Sequence, residues 1–187
     1  MMIQIPELTS DKSLARKSGY PTIAHIGRER IRRVIAQMEA EDAGQLDMRP
    51  SEDLGFRAYR LARSNFKPWK TTAPASVDEV QAAFDTFETP LVEGWQRRDL
   101  LTEILLMEGF PLDSTVTPQP AFEHNSVLLV TAGDLDHRLW ICLDATIAPQ
   151  TIAQLDLADK DLFICLDTAL TDETKVRLSD TGAIHVI

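Results

Sequence analysis

The sequence predicts an α/β protein whose C-terminal part contains a mixed, largely parallel sheet. Two similar apolar segments, LWICLDATI and LFICLDTAL, are separated by a stretch long enough for one helix, which is the pattern of a right-handed βαβ unit. Just upstream, two apolar runs flank a Gly-Asp pair and predict a hairpin with strands Val127–Thr131 and Leu139–Leu143. The hairpin and the βαβ unit share a strand, so one sheet should contain both kinds of pairing.

The N-terminal part is predicted to contain two short strands and one long helix. Residues 3–6 alternate between apolar and polar before a proline, which is typical of a short strand. At about 100° per residue, most apolar side chains of 22–41 fall on one half of a helix. Arg30 projects into that apolar face, so we expect it to bridge to an acidic or carbonyl partner on a neighbouring element. Alternation across 54–62 predicts the second strand.

The remaining elements are predicted from helix caps, periodicity and a final apolar run. Ser76 and Glu79 form a capping box that starts a helix. The segment WQRRDLLTEILLMEGF predicts another helix, which ends at Gly109. A further helix at Thr171–Thr181 leads to a last strand, AIHVI.

Charge divides the chain into two predicted domains. Residues 1–70 contain 13 basic and 9 acidic residues, whereas residues 71–187 contain 6 and 20, within a net charge of −10. The proline-containing stretch FKPWKTTAPAS lies at the same place and is typical of a linker. We therefore place the domains at 1–72 and 73–187. The first has a charge suited to nucleic acid, and the second would be repelled by it.

Composition indicates an ordinary soluble globular protein, with 44% apolar and 26% charged residues. No apolar run approaches the roughly 18 residues needed to span a bilayer, so no membrane partner is expected. The N-terminal residues do not resemble a secretory signal. Cys142 and Cys165 lie in apolar ICLD segments and are predicted to be buried free thiols of a reducing compartment. The expected location is cytoplasmic.

Few residues offer catalytic chemistry. Asp144 and Asp167 follow predicted parallel strands, and we expect them to cap the helices that come next. A small hydrolase that used either carboxylate would need it to line an open pocket. The cysteines and histidines lack metal-ligand spacing, so no metal site is predicted. The glycines never occur as GxG, so no nucleotide-binding or S-adenosyl-L-methionine-binding loop is encoded.

The helix at 22–41 is the candidate nucleic-acid feature. Arg28, Arg32 and Arg33 fall outside its apolar half, where they could contact DNA phosphates. With a preceding loop, the helix could serve as the recognition helix of a stand-alone DNA-binding regulator. The competing interpretation is an ordinary packed helix with a solvated basic face.

Several stretches, taken in order, resemble the C-terminal part of the adenine-specific DNA methyltransferase (Mod) subunits of type III restriction–modification systems. The resemblance spans almost all of the chain, and its second and third stretches are the most specific. The segment before the last strand is more compact here than is usual in that family. The stretches are IQIPELTSDKS, SGYPTIAHIGRERIRRV, LGFRAYRLARSNFKPW, DLLTEILLMEGFPL and LWICLD…LFICLD.

The resemblance implies that the chain is the tail of a longer enzyme. In that family, a DPPY-type loop holds the adenine and an FxGxG loop holds S-adenosyl-L-methionine. Neither motif occurs in this sequence. The resemblance therefore implies no catalytic residue, no cofactor and no activity for this chain alone. Residues 1–72 would then be the remnant of a Rossmann-like methyltransferase sheet edge. Gln4 and Glu7 are weak candidates for the group that meets the cofactor ribose. The implied partners are the missing catalytic part, a second copy or the restriction subunit.

Overall fold

Two compact units make up the chain, Met1–Tyr59 and Arg60–Ile187, which we call the N-terminal unit and the C-terminal unit. The predicted domain boundary near residue 72, and most of the helix predicted from Ser76, lie outside the described residues and stay predictions. No helix in the described part of the chain is long and apolar enough to cross a membrane. The computed structural model describes residues 2–42, 53–68, 76–77, 80, 90–180 and 182–187.

The N-terminal unit contains two helices. Helix α1 spans Leu14–Lys17, and the hydroxyl of Ser13 caps it by accepting a hydrogen bond from the backbone N–H of Arg16. Helix α2 spans Ile23–Asp42 and confirms the helix predicted over 22–41. Helix α1 was not predicted, because four residues are too few to show an apolar period.

The two strands predicted in this unit are wrong. Residues 2–7 and 54–62 form no strand, and the side chains of Ile3 and Ile5 are 85% and 77% exposed. An isolated antiparallel bridge joins Leu8 to Thr22 instead. Alternating side chains alone do not make a strand, because a strand requires a neighbouring strand for its backbone hydrogen bonds.

The N-terminal unit has no buried core in the part that the structure describes. None of residues 2–41 and 53–59 is buried. The large apolar side chains of α2 are 37% to 50% exposed at Ile23, Ile26, Val34 and Met38. Helix α2 therefore lacks much of the tertiary packing that usually stabilises a helix in a protein.

The C-terminal unit is built on a mixed sheet of five strands in the order β1-β2-β3-β4-β5. Its first two pairs are antiparallel and its last two are parallel. The sheet is therefore mixed, as predicted, but it is not largely parallel. The predicted hairpin and the predicted parallel pair are confirmed, whereas β1 was not predicted. The strands are Thr115–Pro118, Val127–Thr131, Leu139–Cys142, Leu162–Cys165 and Ala183–Val186.

Three α-helices of the C-terminal unit are described alongside this sheet. Helix α3 spans Arg97–Met107, α4 spans Pro149–Gln154 between β3 and β4, and α5 spans Asp172–Ser179 before β5. The hydroxyl of Thr171 caps α5 by accepting a hydrogen bond from the backbone N–H of Thr174. All three helices match predicted ones. A 3₁₀ turn also follows β4.

The core of the C-terminal unit covers both faces of the sheet, because alternate residues of each strand point to opposite sides. Ile141 and Ile164 pack with α3 on one face. Trp140 and Phe163, one residue earlier on the same strands, pack with α5 on the other face. Burial on both faces explains why β3 and β4 are continuously apolar in sequence.

Candidate functional site

The three candidate DNA-contact arginines have different surroundings on α2. Arg33 donates through Nε to a Glu29 carboxylate oxygen at 2.9 Å, and this hydrogen bond raises the pKa of Arg33 above its ordinary value. The guanidinium of Arg32 lies over the ring of Phe56, 5.9 Å from its centroid. Arg28 is half-buried. DNA contact by these residues stays a prediction.

A groove runs along the side of α2 that carries Arg33. It encloses about 370 Å³. Arg30 lies in it with its side chain exposed, and it forms no ion pair with any described residue. The partner predicted for Arg30 is therefore absent among the described residues: the side chain is exposed, and Glu29, which also lines the groove, pairs with Arg33 instead. The lining residues are Tyr20, Ile26, Glu29, Arg30, Arg33, Val34 and Gln37.

The two weak cofactor candidates near the N-terminus are exposed. The Gln4 side chain donates to the carbonyl of Ile5 at 3.2 Å. Glu7 contributes its backbone carbonyl, which accepts a hydrogen bond from the N–H of Ile23 at 3.0 Å. Contact of either side chain with a ribose stays a prediction.

Asp144 follows β3 and joins distant segments. Its carboxylate accepts hydrogen bonds from Arg97 at 2.7 Å, the backbone N–H of Ser126 at 2.8 Å and the Asn125 amide at 3.0 Å. The predicted helix-capping role is wrong, since residue 148 occupies the N-cap of α4. Burial alone would raise the pKa of Asp144, but these hydrogen bonds lower it below the ordinary value.

Asn125 completes this polar cluster. Its amide group also donates to the carbonyl of Thr146 at 2.9 Å. Its amide oxygen accepts from the backbone N–H of Ala148 and from the hydroxyl of Thr151, at 2.9 and 2.8 Å. The polar groups of this cluster thus form hydrogen bonds with one another, and these bonds connect the hairpin to the start of α4. It acts as a structural connection at the carboxyl end of β3.

Asp167 does not cap a helix with its side chain either, so that prediction is also wrong. It opens the 3₁₀ turn Asp167–Ala169, whose N-cap is Leu166. The carboxylate pairs with the Lys175 ammonium at 2.8 Å, and this hydrogen bond raises the pKa of Lys175. The side chain therefore connects the end of β4 to α5.

A third carboxylate, Asp161, is buried just before β4. It accepts hydrogen bonds from the Arg138 guanidinium, with Nε to Oδ2 at 2.9 Å, and from the Trp140 indole N–H at 3.3 Å. The backbone N–H groups of Ala158 and Arg138 add two more at 3.0 Å. Burial alone would raise the pKa of Asp161, but these donors lower it below its ordinary value.

The SNF part of the family-like motif attaches to α3. The Glu103 carboxylate accepts hydrogen bonds from the Ser64 hydroxyl, from the backbone N–H of Asn65 at 2.7 Å and from the Asn65 amide at 2.8 Å. Phe66 packs against the core beside these bonds and forms a bridge with Leu91. Residues 64–67 therefore belong to the C-terminal unit. Sequence reasoning singled out the motif but missed this role.

We expect Glu103→Gln to lower the free energy of unfolding by about 1–2 kcal/mol, because the charge that accepts three hydrogen bonds is lost. Urea denaturation followed by circular dichroism measures the change. Glu93→Gln is the control, since Glu93 is exposed and precedes α3. Equal stability of both variants would show that residues 64–67 do not depend on Glu103.

The two cysteines are buried and lie opposite each other on β3 and β4. Cys142 and Cys165 are register partners and are free thiols. Burial raises the pKa of Cys142 to about 11 and that of Cys165 to about 12. Neither has the surroundings of a catalytic thiolate. Among the described residues, no group of three or more His, Cys, Asp or Glu side chains is placed to hold a metal ion.

The C-terminal unit thus defines a mixed α/β protein with an open five-stranded sheet. No protein family and no solved structure matched the chain. A similar curated protein is the type III restriction-modification enzyme StyLTI Mod subunit of Salmonella typhimurium (strain LT2), which is 39% identical over 62 residues. The match covers 33% of this chain and 9% of that relative. It supports the suspected relationship to Mod subunits.

Proposed function

We propose that this chain is a C-terminal fragment of an adenine-specific DNA methyltransferase from a type III restriction–modification system, and that it serves assembly. The 39% identity to the StyLTI Mod subunit over 62 residues carries this proposal. The proposed partners are the catalytic part of a Mod subunit and, through it, a second Mod copy or the restriction subunit. A cytoplasmic location belongs to the same proposal.

The unequal packing of the two units supports an assembly role. The C-terminal unit buries apolar side chains on both faces of its sheet. The N-terminal unit leaves four large apolar side chains of α2 exposed, Ile23, Ile26, Val34 and Met38, and has no buried residue among 2–41 and 53–59. Exposed contiguous apolar surface is typical of a site that another protein surface covers.

Methyl transfer by this chain alone is not part of the proposal. Transfer to an exocyclic amine requires a held methyl donor and a flipped, positioned adenine. The proposal also expects no S-adenosyl-L-methionine binding by this chain alone, because in the related enzymes the pocket for that donor is lined by closely spaced glycines. The described glycines with positive φ are instead isolated, at Gly19, Gly94 and Gly109.

Two measurements test this function. Purified chain incubated with adenine-containing DNA and labelled S-adenosyl-L-methionine should transfer no label to the DNA. Immobilised chain should capture StyLTI Mod subunit from which the matched region has been deleted, and the full-length subunit serves as the comparison. Labelled DNA, or no capture of the deleted subunit at any salt concentration, would contradict the proposal.

A second candidate function is a stand-alone DNA-binding regulator that uses residues 22–41. It is favoured by Arg28 and Arg32, which lie one helical turn apart and form no ion pair with a described residue. In a gel-shift titration, replacing Arg28, Arg32 and Arg33 together by alanine should then abolish salt-sensitive binding. Binding that is unchanged in this triple variant would remove this candidate.

A further inference from the structure

The groove on α2 combines apolar and basic chemistry. Ile26 and Val34 supply apolar surface and are 38% and 50% exposed. Arg30 lies between them in sequence, and Arg33 lies beside Val34. A surface of this kind fits an apolar side chain that has a carboxylate next to it.

The charges of the groove are only partly matched. Glu29 pairs with Arg33 at 2.9 Å, so one guanidinium is already neutralised. Arg30 lines the same groove without an acidic partner among the described residues. An arginine beside apolar side chains gains most from a bidentate carboxylate, because the planar guanidinium matches that group. A carboxylate on a docking surface would pair with the exposed Arg30 side chain.

Nucleic acid fits the groove less well. A phosphate backbone has no apolar group to cover Ile26 and Val34, and the Glu29 carboxylate in the groove would repel it. A protein surface can satisfy both parts of the groove. The match to the StyLTI Mod subunit covers only 9% of that relative, so a Mod-type chain contains ample further protein surface.

We propose that the α2 groove is the docking site for the remainder of a Mod-type polypeptide, which inserts an apolar side chain against Ile26 and Val34 and a carboxylate against Arg30. This inference rests on the proposed function and adds the surface through which it operates. Docking would bury the apolar side chains of α2 and so give the N-terminal unit the core that its described residues lack.

The test compares variants of the full chain in binding to StyLTI Mod subunit that lacks the matched region. Arg30→Glu and Val34→Asp alter the groove. Lys12→Glu is the control, because it makes the same charge reversal at an exposed side chain of the N-terminal unit outside the residues that line the groove. Circular dichroism checks that all three variants retain the helix content of the unaltered chain. We expect the groove variants to bind at least tenfold more weakly and Lys12→Glu to bind within twofold of the unaltered chain.

The outcomes separate this inference from the proposed function. If the unaltered chain binds and the groove variants bind equally well, the groove is not the docking site, although the proposed function stands. If the unaltered chain does not bind the Mod subunit, both the docking site and the proposed function are contradicted. If Arg30→Glu instead abolishes binding of a duplex DNA and leaves capture of the Mod subunit intact, the groove serves nucleic acid and the inference is overturned.

Discussion

Asp161→Ala should lower the free energy of unfolding of the C-terminal unit by about 2–4 kcal/mol, because it removes a buried carboxylate that accepts several hydrogen bonds. Asp161 is 2% exposed and accepts hydrogen bonds from the side chains of Arg138 and Trp140. Its loss would leave the indole N–H and the backbone N–H of Ala158 without their acceptor. Urea denaturation followed by tryptophan fluorescence measures the change. The stability of Asp161→Asn should lie between those of the unaltered protein and Asp161→Ala, since its amide oxygen can still accept hydrogen bonds.

The same carboxylate should make stability depend on pH. The pKa of Asp161 is lowered in the folded protein, so the unfolded chain binds the proton more readily. Its contribution is therefore complete above the unfolded pKa of about 3.9 and is lost as pH falls through the lower folded pKa. The stability difference between the unaltered protein and Asp161→Asn should thus narrow on acidification below about pH 4.

Asp136→Asn is the control for both measurements. Asp136 pairs with Lys160 at the surface, where solvent screens the interaction, so its replacement should change stability little. If Asp161→Ala and Asp136→Asn unfold at the same urea concentration, the buried carboxylate of Asp161 does not stabilise the fold.

Phe163→Ala should cost about 3–5 kcal/mol of unfolding free energy, because it leaves a cavity in the core. Phe163 is fully buried on β4 and packs in the cluster that contains Trp140 and Leu178. Phe56→Ala in the N-terminal unit should cost less than about 1 kcal/mol, since Phe56 is 39% exposed. Differential scanning calorimetry and urea denaturation both measure the contrast.

The comparison of these two phenylalanines tests the unequal packing of the units. Phe163→Leu is a further control, because it retains much of the apolar volume and should lie between Phe163→Ala and the unaltered protein. A cost for Phe56→Ala as large as that for Phe163→Ala would show that the N-terminal unit has a core of its own. That result would also remove the physical support for docking at α2.

The sheet could be predicted where the sequence itself contains the signal. Strands β3 and β4 are buried on both faces and therefore read as continuous apolar runs, and the segment between them is long enough for α4. Strand β1, with the sequence TVTP, was missed because only one of its four residues is partly buried. The pattern at 54–62 predicted a strand that is absent, because alternation does not reveal whether a pairing strand exists.

The polar contacts could not be predicted, because their partners lie far apart in sequence. Arg97 and Asp144 are 47 residues apart, and Asn65 and Glu103 are 38 apart. The local sequence predicted that Asp144 caps a helix, whereas in the fold its carboxylate accepts hydrogen bonds from other residues. Arg30 is the instructive case, since its position in an apolar helix face predicted a burial that did not occur, and its exposed side chain has no partner among the described residues.

The opposed cysteines give the fold an internal chemical reporter. Cys142 lies on the central strand, directly across from Cys165 on its neighbour, and both side chains are buried on the same face of the sheet. Both thiols lie in the cluster that α5 packs against, so displacement of this cover exposes the two sulfurs together. The rate at which a thiol reagent consumes two equivalents therefore follows opening of that packed face.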